Sequence, residues 1–281
     1  MRFLPFLRSQ VMKLAGYPVY LRVLLFLLTL LLVWLPWSML CWGLLRRDVN
    51  LLTIASMGGL FVLFLVLQSY WQPWSYGKSA GWIRWGLSLE PTQFRECIVG
   101  LIVGVGLVVG IYLFEARLGW IDIRPPTEQF LVIAGQGALS GLGVALAEEI
   151  VFRGWLLTEL ERDFPQSLAS QASAVLFALL HYLKPWSEIQ RTWPGFPTLI
   201  LLGLILVRLK RLTANRLGLP IGFHAGLVWG YYCLSIGELI STTPGTPDWL
   251  VGIHGNPLAS LIGITVFGLI YGCIQLVKKP V

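Results

Sequence analysis

The chain has 281 residues, of which 56% are hydrophobic and 12% charged, and it carries 13 Trp. A soluble domain has about a quarter charged residues, so a water-facing surface is excluded for most of the molecule and lipid must cover it. The net charge of +7 does not point to nucleic acid, because no soluble basic face exists to carry it; loop asymmetry across a membrane accounts for it better.

Residues 1–22 interleave Arg2, Arg8 and Lys13 with Phe3, Leu4, Phe6, Leu7, Val11 and Met12, which predicts an interfacial amphipathic segment. The apolar run that follows is of spanning length and ends in Arg46-Arg47 rather than a small-residue cleavage site, so a cleaved signal peptide is not the reading. A membrane helix needs roughly 20 apolar residues. On that measure the spans fall at 23–45, 51–70, 97–114, 130–157, 172–183, 198–209, 219–239 and 258–277. The fold class is therefore all-α: one polytopic membrane domain over 1–281, with about eight transmembrane helices. Between the second and third spans, Trp71, Trp74, Trp82, Trp85, Lys78 and Arg84 suit a headgroup-level loop or helix.

With eight spans, both termini share a face. Fourteen Lys and Arg fall on that face and six on the other, so the positive-inside rule places both termini in the cytoplasm. Cys41, Cys97, Cys233 and Cys273 lie in or beside apolar runs without CxxC spacing. They read as buried thiols that say nothing of redox compartment. The third span holds Gly100, Gly104, Gly106 and Gly110, and the fourth Gly137, Gly141 and Gly143. Small residues at this spacing let membrane helices approach closely.

The fourth span also carries Glu148, Glu149 and Arg153, the only ionisable residues between Phe130 and Leu157. A charge at the centre of a membrane helix costs at least ~2.5 kcal/mol on insertion scales, so these groups must pair, face a protein-lined cavity or do chemistry. Glu149 and Arg153 are i, i+4 and can pair as carboxylate and guanidinium. Glu148 points about 100° away without a local partner, which suits proton transfer; the alternative is that both carboxylates share Arg153 as a structural network. Elsewhere, within the spans rather than at their ends, His181 and His224 complete the short set of ionisable residues, while Glu115 and Glu238 lie near span ends and His254 in a loop. The midpoint between Glu148 and His181 falls at Phe164-Pro165. A helical hairpin turning there brings the two to equal depth, roughly 13 Å below the cytoplasmic face at the helical rise, and His224 comes to roughly 12 Å.

The motifs resemble those of the CPBP superfamily of intramembrane proteases, which includes the CAAX prenyl endopeptidases and bacteriocin-processing or immunity proteins. Glu-Glu-x-x-x-Arg is met by Glu148, Glu149 and Arg153; Phe-x-x-x-His by Phe177 and His181; and the third motif, His-x-x-x-Asn/Asp, only by His224, since Val228 stands where the amide or carboxylate is usual. The resemblance covers about 130–240 as a protease-like core. It implies hydrolysis of peptide bonds in membrane-associated peptide or protein substrates near the cytoplasmic face. Glu148 would be the general base, with His181 and His224 positioning the water and stabilising the oxyanion, or forming with Glu148 a zinc set. Glu149, Arg153 and Phe177 would support them. Tyr231, on nearly the same helical face as His224, could replace the missing amide. No Gly-x-Ser-x-Gly is present and no cysteine adjoins a motif histidine, so nucleophile mechanisms find no support. The setting implied is a multi-pass protein of a prokaryotic or organellar bilayer, without nucleic acid. The rivals are a non-proteolytic adaptor or immunity-type protein of the same fold and, last, a proton- or ion-coupled transporter, for which no internal repeat is evident.

Overall fold

The structure, a computed structural model, describes residues 16–76 and 81–277. Contacts gather into two compact units that divide after Arg84.

In the first unit, α1 (Val19–Leu45) and α2 (Val49–Tyr76) form a hairpin. Asp48 opens α2 by accepting a hydrogen bond from the Leu51 N–H at 3.0 Å, an N-cap that stabilises the first turn by about 1 kcal/mol. The Phe26 ring packs edge-on against Phe64 and Trp71, with centroids 5.7 and 5.3 Å apart. The indoles of Trp34 and Trp37 donate across to the carbonyls of Ser56 and Ala55, each at 3.0 Å. Of the expected amphipathic segment 1–22, residues 1–15 lie outside the described residues and Val19 to Arg22 open α1. The expected interfacial stretch is split: α2 continues to Tyr76, and both Trp71 and Trp85 are buried.

The second unit begins with α3 (Pro91–Arg117), whose Pro91 sits at the helix start, where no backbone donor is needed. After β1 (Ile121–Ile123), α4 (Phe130–Glu148) runs without a break into a π-helical stretch, Glu149–Leu156, and α5 (Leu157–Asp163). The chain turns at Phe164-Pro165, the predicted midpoint, into α6 (Gln166–Leu180). There follow the short α7 (Trp186–Thr192), then α8 (Phe196–Leu212) and α9 (Gly218–Ser235). β2 (Ile240–Thr242) pairs antiparallel with β1, Ile121 opposite Thr242. A one-turn helix, α10 (Asp248–Val251), and α11 (Leu261–Leu276) complete the unit.

α9 is the hub, packed on α3 and α4. A Cβ added at Gly222 would lie 1.9 Å from the Cys97 carbonyl oxygen, at Gly226 2.4 Å from that of Leu101, and at Gly104 2.3 Å from that of Phe223. The two backbones are in contact and only glycine fits between them. Of the expected glycines, Gly100 and Gly104 form this seam and Gly137 and Gly141 face α9 residues, whereas Gly106, Gly110 and Gly143 meet nothing. Sequence reading missed the reciprocal row on α9: Gly218, Gly222, Gly226 and Gly230.

Among the described residues, five helical stretches are long and apolar enough to cross a membrane: Val19–Leu45, Val49–Gln72, Pro91–Arg117, Phe130–Asp163 and Trp186–Leu212. Gln166–Leu180 and Leu261–Leu276 are shorter apolar helices, and α9, glycine-rich and mostly buried, is not among the candidates. The protein is thus all-α and polytopic, with five candidate spans among the described residues where the sequence predicts eight.

Candidate functional site

The site is assembled from the junction of α4 with the π-helical stretch, the last turn of α6 and the middle of α9. Glu149 and Arg153 are both fully buried and pair at 3.0 Å, Arg153 Nη1 donating to Glu149 Oε1. The Arg153 guanidinium also lies over the Phe177 ring, 4.2 Å from its centroid. Burial in protein rather than in lipid is what makes this charge affordable, through the ion pair and the cation–π contact together.

Glu149 has a second role that sequence reading missed. Its Oε1 also meets His224 Nδ1 at 2.9 Å. A buried carboxylate accepts, so Nδ1 carries the proton, and the ring turns Nε2 toward Glu148, 3.8 Å from Oε2. His181, at the C-terminal cap of α6, is fixed the same way by another acceptor. Its Nδ1 donates to the Phe177 carbonyl at 2.8 Å, and its Nε2 lies 3.9 Å from the same Glu148 oxygen. The Phe177 ring packs against both imidazoles, with centroids 4.6 and 6.1 Å away. The Phe-x-x-x-His spacing therefore supplies a carbonyl, an aromatic platform and an imidazole from one helical turn. Glu148, His181 and His224 are brought together; Glu149, Arg153 and Phe177 surround them.

Glu148, Phe177, His181 and His224 line a cavity of about 440 Å³. Glu148 is 28% and His181 33% exposed there. Glu148 Oε2 has no hydrogen-bond partner among the described residues; it faces both Nε2 atoms. Val228 and Tyr231 line the wall, as do Asn256 and Lys184. Asn256, absent from the sequence-derived candidates, accepts from the Leu258 N–H through Oδ1 at 3.0 Å, which leaves its amide N–H groups as donors at the wall. Its loop is tied to α3, where Tyr112 Oη donates to the Gly255 carbonyl at 2.6 Å. Gly252 has φ +89°, and a Cβ there would lie 1.7 Å from the backbone carbonyl oxygen of Asn256, so no other residue fits. The Tyr182 hydroxyl donates to Thr192 O at 2.8 Å, and burial raises its pKa above the ordinary tyrosine value. No short-range cue in the sequence links residue 256 to residue 148, which is why the motifs did not find it.

The π-helical stretch was also unforeseen. Three successive carbonyls in it accept from side chains: Phe152 from Ser173 at 3.3 Å, Arg153 from Lys210 at 2.6 Å and Gly154 from Thr158 at 2.5 Å. Such widened turns disturb the regular ladder and recur at functional sites. Glu115, expected near an interface, is fully buried, with neither carboxylate oxygen hydrogen-bonded among the described residues.

The expected zinc set is not shown by this arrangement: Glu148 Oε2 lies 3.8 and 3.9 Å from the two Nε2 atoms, against roughly 3.4 Å between ligand atoms around tetrahedral zinc. No group of three His, Cys, Asp or Glu among the described residues is disposed to hold a metal ion.

The fold and site thus define a polytopic membrane protein with a carboxylate and two imidazoles converging in a cavity within its helical core. Residues 130–230 match the family model described as Rce1-like, type II CAAX prenyl endopeptidase. That match supports a relation to the CPBP, or CAAX-protease, superfamily, and the matched segment holds every one of the motif residues. No curated protein and no solved structure matches the chain.

Proposed function

We propose that the protein is an intramembrane endopeptidase that hydrolyses peptide bonds of membrane-associated substrates. The observation that carries this reading is the approach of both Nε2 atoms to one oxygen of Glu148, 3.9 and 3.8 Å away, at a cavity wall. Groups at that separation can share hydrogen bonds with a single water at ~2.8 Å from each. Glu148 takes a proton from that water as its oxygen bonds to the substrate carbonyl carbon. The imidazoles, oriented through Nδ1, present Nε2 to the water and to the oxyanion that develops. The proton then passes from Glu148 to the departing amine as the C–N bond breaks. Water is consumed and an acid and an amine are released.

The test is cleavage of membrane-tethered peptides by purified protein in detergent. Glu148→Gln keeps the shape and removes the base; loss of at least 100-fold in kcat is expected for a lost general base. Equal cleavage by both proteins would sink the assignment.

Val228 favours a second reading, a non-proteolytic adaptor or immunity-type protein of the same fold. Partner binding without cleavage by the wild type, and full complementation by Glu148→Gln in cells, would select it.

A further inference from the structure

The basic run Arg208-Leu209-Lys210-Arg211 closes α8, and its three cations take different directions. Arg208 Nε donates to Ile274 O of α11 at 3.1 Å. Arg211 pairs with Glu161 at 2.9 Å and donates to Gln166 O at 3.0 Å, at the turn between α5 and α6. Lys210 turns inward: it is 4% exposed, and its Nζ donates to the Arg153 carbonyl at 2.6 Å. Its own carbonyl is held too, accepting from the Thr213 and Asn215 N–H groups at 3.2 and 2.9 Å. Two turns earlier on the same face of α8, Gly203 O accepts from Arg153 Nη2 at 3.5 Å. The helix can come so close because a Cβ at Gly203 would lie 2.8 Å from Ala174 of α6, and there is none. One helix thus grips Arg153 twice, at its guanidinium and at its main-chain carbonyl.

Lys210 does not line the cavity, so any effect it has on the chemistry must travel through Arg153. The route is continuous. Arg153 Nη1 donates to Glu149 Oε1 at 3.0 Å, the same oxygen accepts from His224 Nδ1 at 2.9 Å, and His224 Nε2 stands 3.8 Å from Glu148 Oε2. The use of a cation is informative. The carbonyls on either side, of Phe152 and Gly154, are met by the hydroxyls of Ser173 and Thr158, so a neutral donor answers the need of a carbonyl in the widened turns. A buried ammonium is a costly way to meet that need unless its charge also acts on something. The carboxylates whose charge reaches it are Glu161 and Glu149.

We infer that Lys210 is a positioning residue for the candidate catalytic centre. It fixes the Arg153 backbone and adds a second cation near Glu149, so that this carboxylate stays aimed at His224 and the imidazole keeps Nε2 turned toward Glu148. Lys210 itself touches no reacting atom. The effect on catalysis rests on the proteolytic reading; the orientation of the imidazole does not.

The full chain, Lys210→Met and Lys210→Arg are compared in detergent on membrane-tethered peptides, well below the unfolding midpoint of each. For Lys210→Met a fall in kcat of about tenfold or more is expected, as for a displaced catalytic group, with KM within about twofold. Lys210→Arg keeps a cation and a donor and should recover most of the lost rate. A purely structural lysine would lower the midpoint and leave the rate of the folded protein unchanged. The second readout needs no substrate. The chain has 3 His, so isotopic nitrogen labelling of histidine gives few magnetic resonance signals, and that of His224 is found by its loss in His224→Gln. In the wild type and Lys210→Arg, the Nδ1 proton bonded to Glu149 should exchange slowly and lie far downfield; in Lys210→Met it should broaden or move. A wild-type kcat or an unmoved His224 signal in Lys210→Met overturns the inference. If Lys210→Met does not fold, Gly203→Ala takes its place, since it pushes α8 off α6 and so off Arg153; the same losses are expected and the same results overturn. A wild type that cleaves no peptide overturns the protease, and the His224 signal alone then decides the part played by Lys210.

Discussion

Glu149 Oε1 accepts from both Arg153 and His224, so one buried oxygen neutralises a guanidinium and sets an imidazole. The neighbouring carboxylates should therefore fail differently. Glu149→Gln strands the buried guanidinium and is expected to lower stability by about 3–5 kcal/mol, read as a drop in the unfolding midpoint in detergent. Glu148→Gln should change stability by less than about 1 kcal/mol while removing cleavage. Similar losses of stability in both would contradict this division. Val228→Asn returns an amide to the wall and should raise cleavage; an unchanged rate would show that Asn256 or Tyr231 suffices. The Glu149–Arg153 pair was legible from i, i+4 spacing. Its bond to His224 was not, because it joins residues on different helices, and spacing within one helix carries no trace of it.

At the scale of the elements, α9 is held against α3 by backbone contact, and His224 is presented from that fixed rod. Gly222→Ala puts a methyl 1.9 Å from the Cys97 oxygen, so the helices must separate; a loss of about 1–3 kcal/mol is expected for overpacking. Gly106→Ala, with open space around it, should be neutral or slightly stabilising. Thermal unfolding of the two variants side by side decides the matter. Lys210→Met leaves the Arg153 carbonyl without its 2.6 Å partner and should cost about 1–3 kcal/mol, with a lower kcat if the π-helical stretch shifts Glu148. Glycine spacing pointed to close packing, but only the structure separates seam glycines from those facing outward.

Within the apolar helices the buried charges Glu149 and Arg153 face protein, while large apolar side chains are exposed. Leu139 on α4 is 77% exposed, nine residues before Glu148 in the same helix. Leu139→Lys should impair insertion by about 2.5–3.5 kcal/mol, measured as membrane-integrated yield, although the π-helical stretch that continues α4 carries the buried charges Glu149 and Arg153. Composition and hydrophobic runs made the all-α membrane class legible from the sequence. The number of crossings was less so: short apolar helices such as α6 and α11 are packed among others, and length alone cannot say whether such a helix traverses a bilayer.

The π-helical stretch behaves as a joint between two registers. Upstream, α4 answers to α9; downstream, the chain answers to α6 and α8. A regular helix would have to satisfy both with one angular phase. A change of length here shifts the angular phase between the two halves, by about 100° per residue in a regular helix, so the acidic pair and the Phe177 platform keep their partners together only while the widened turns take up the difference.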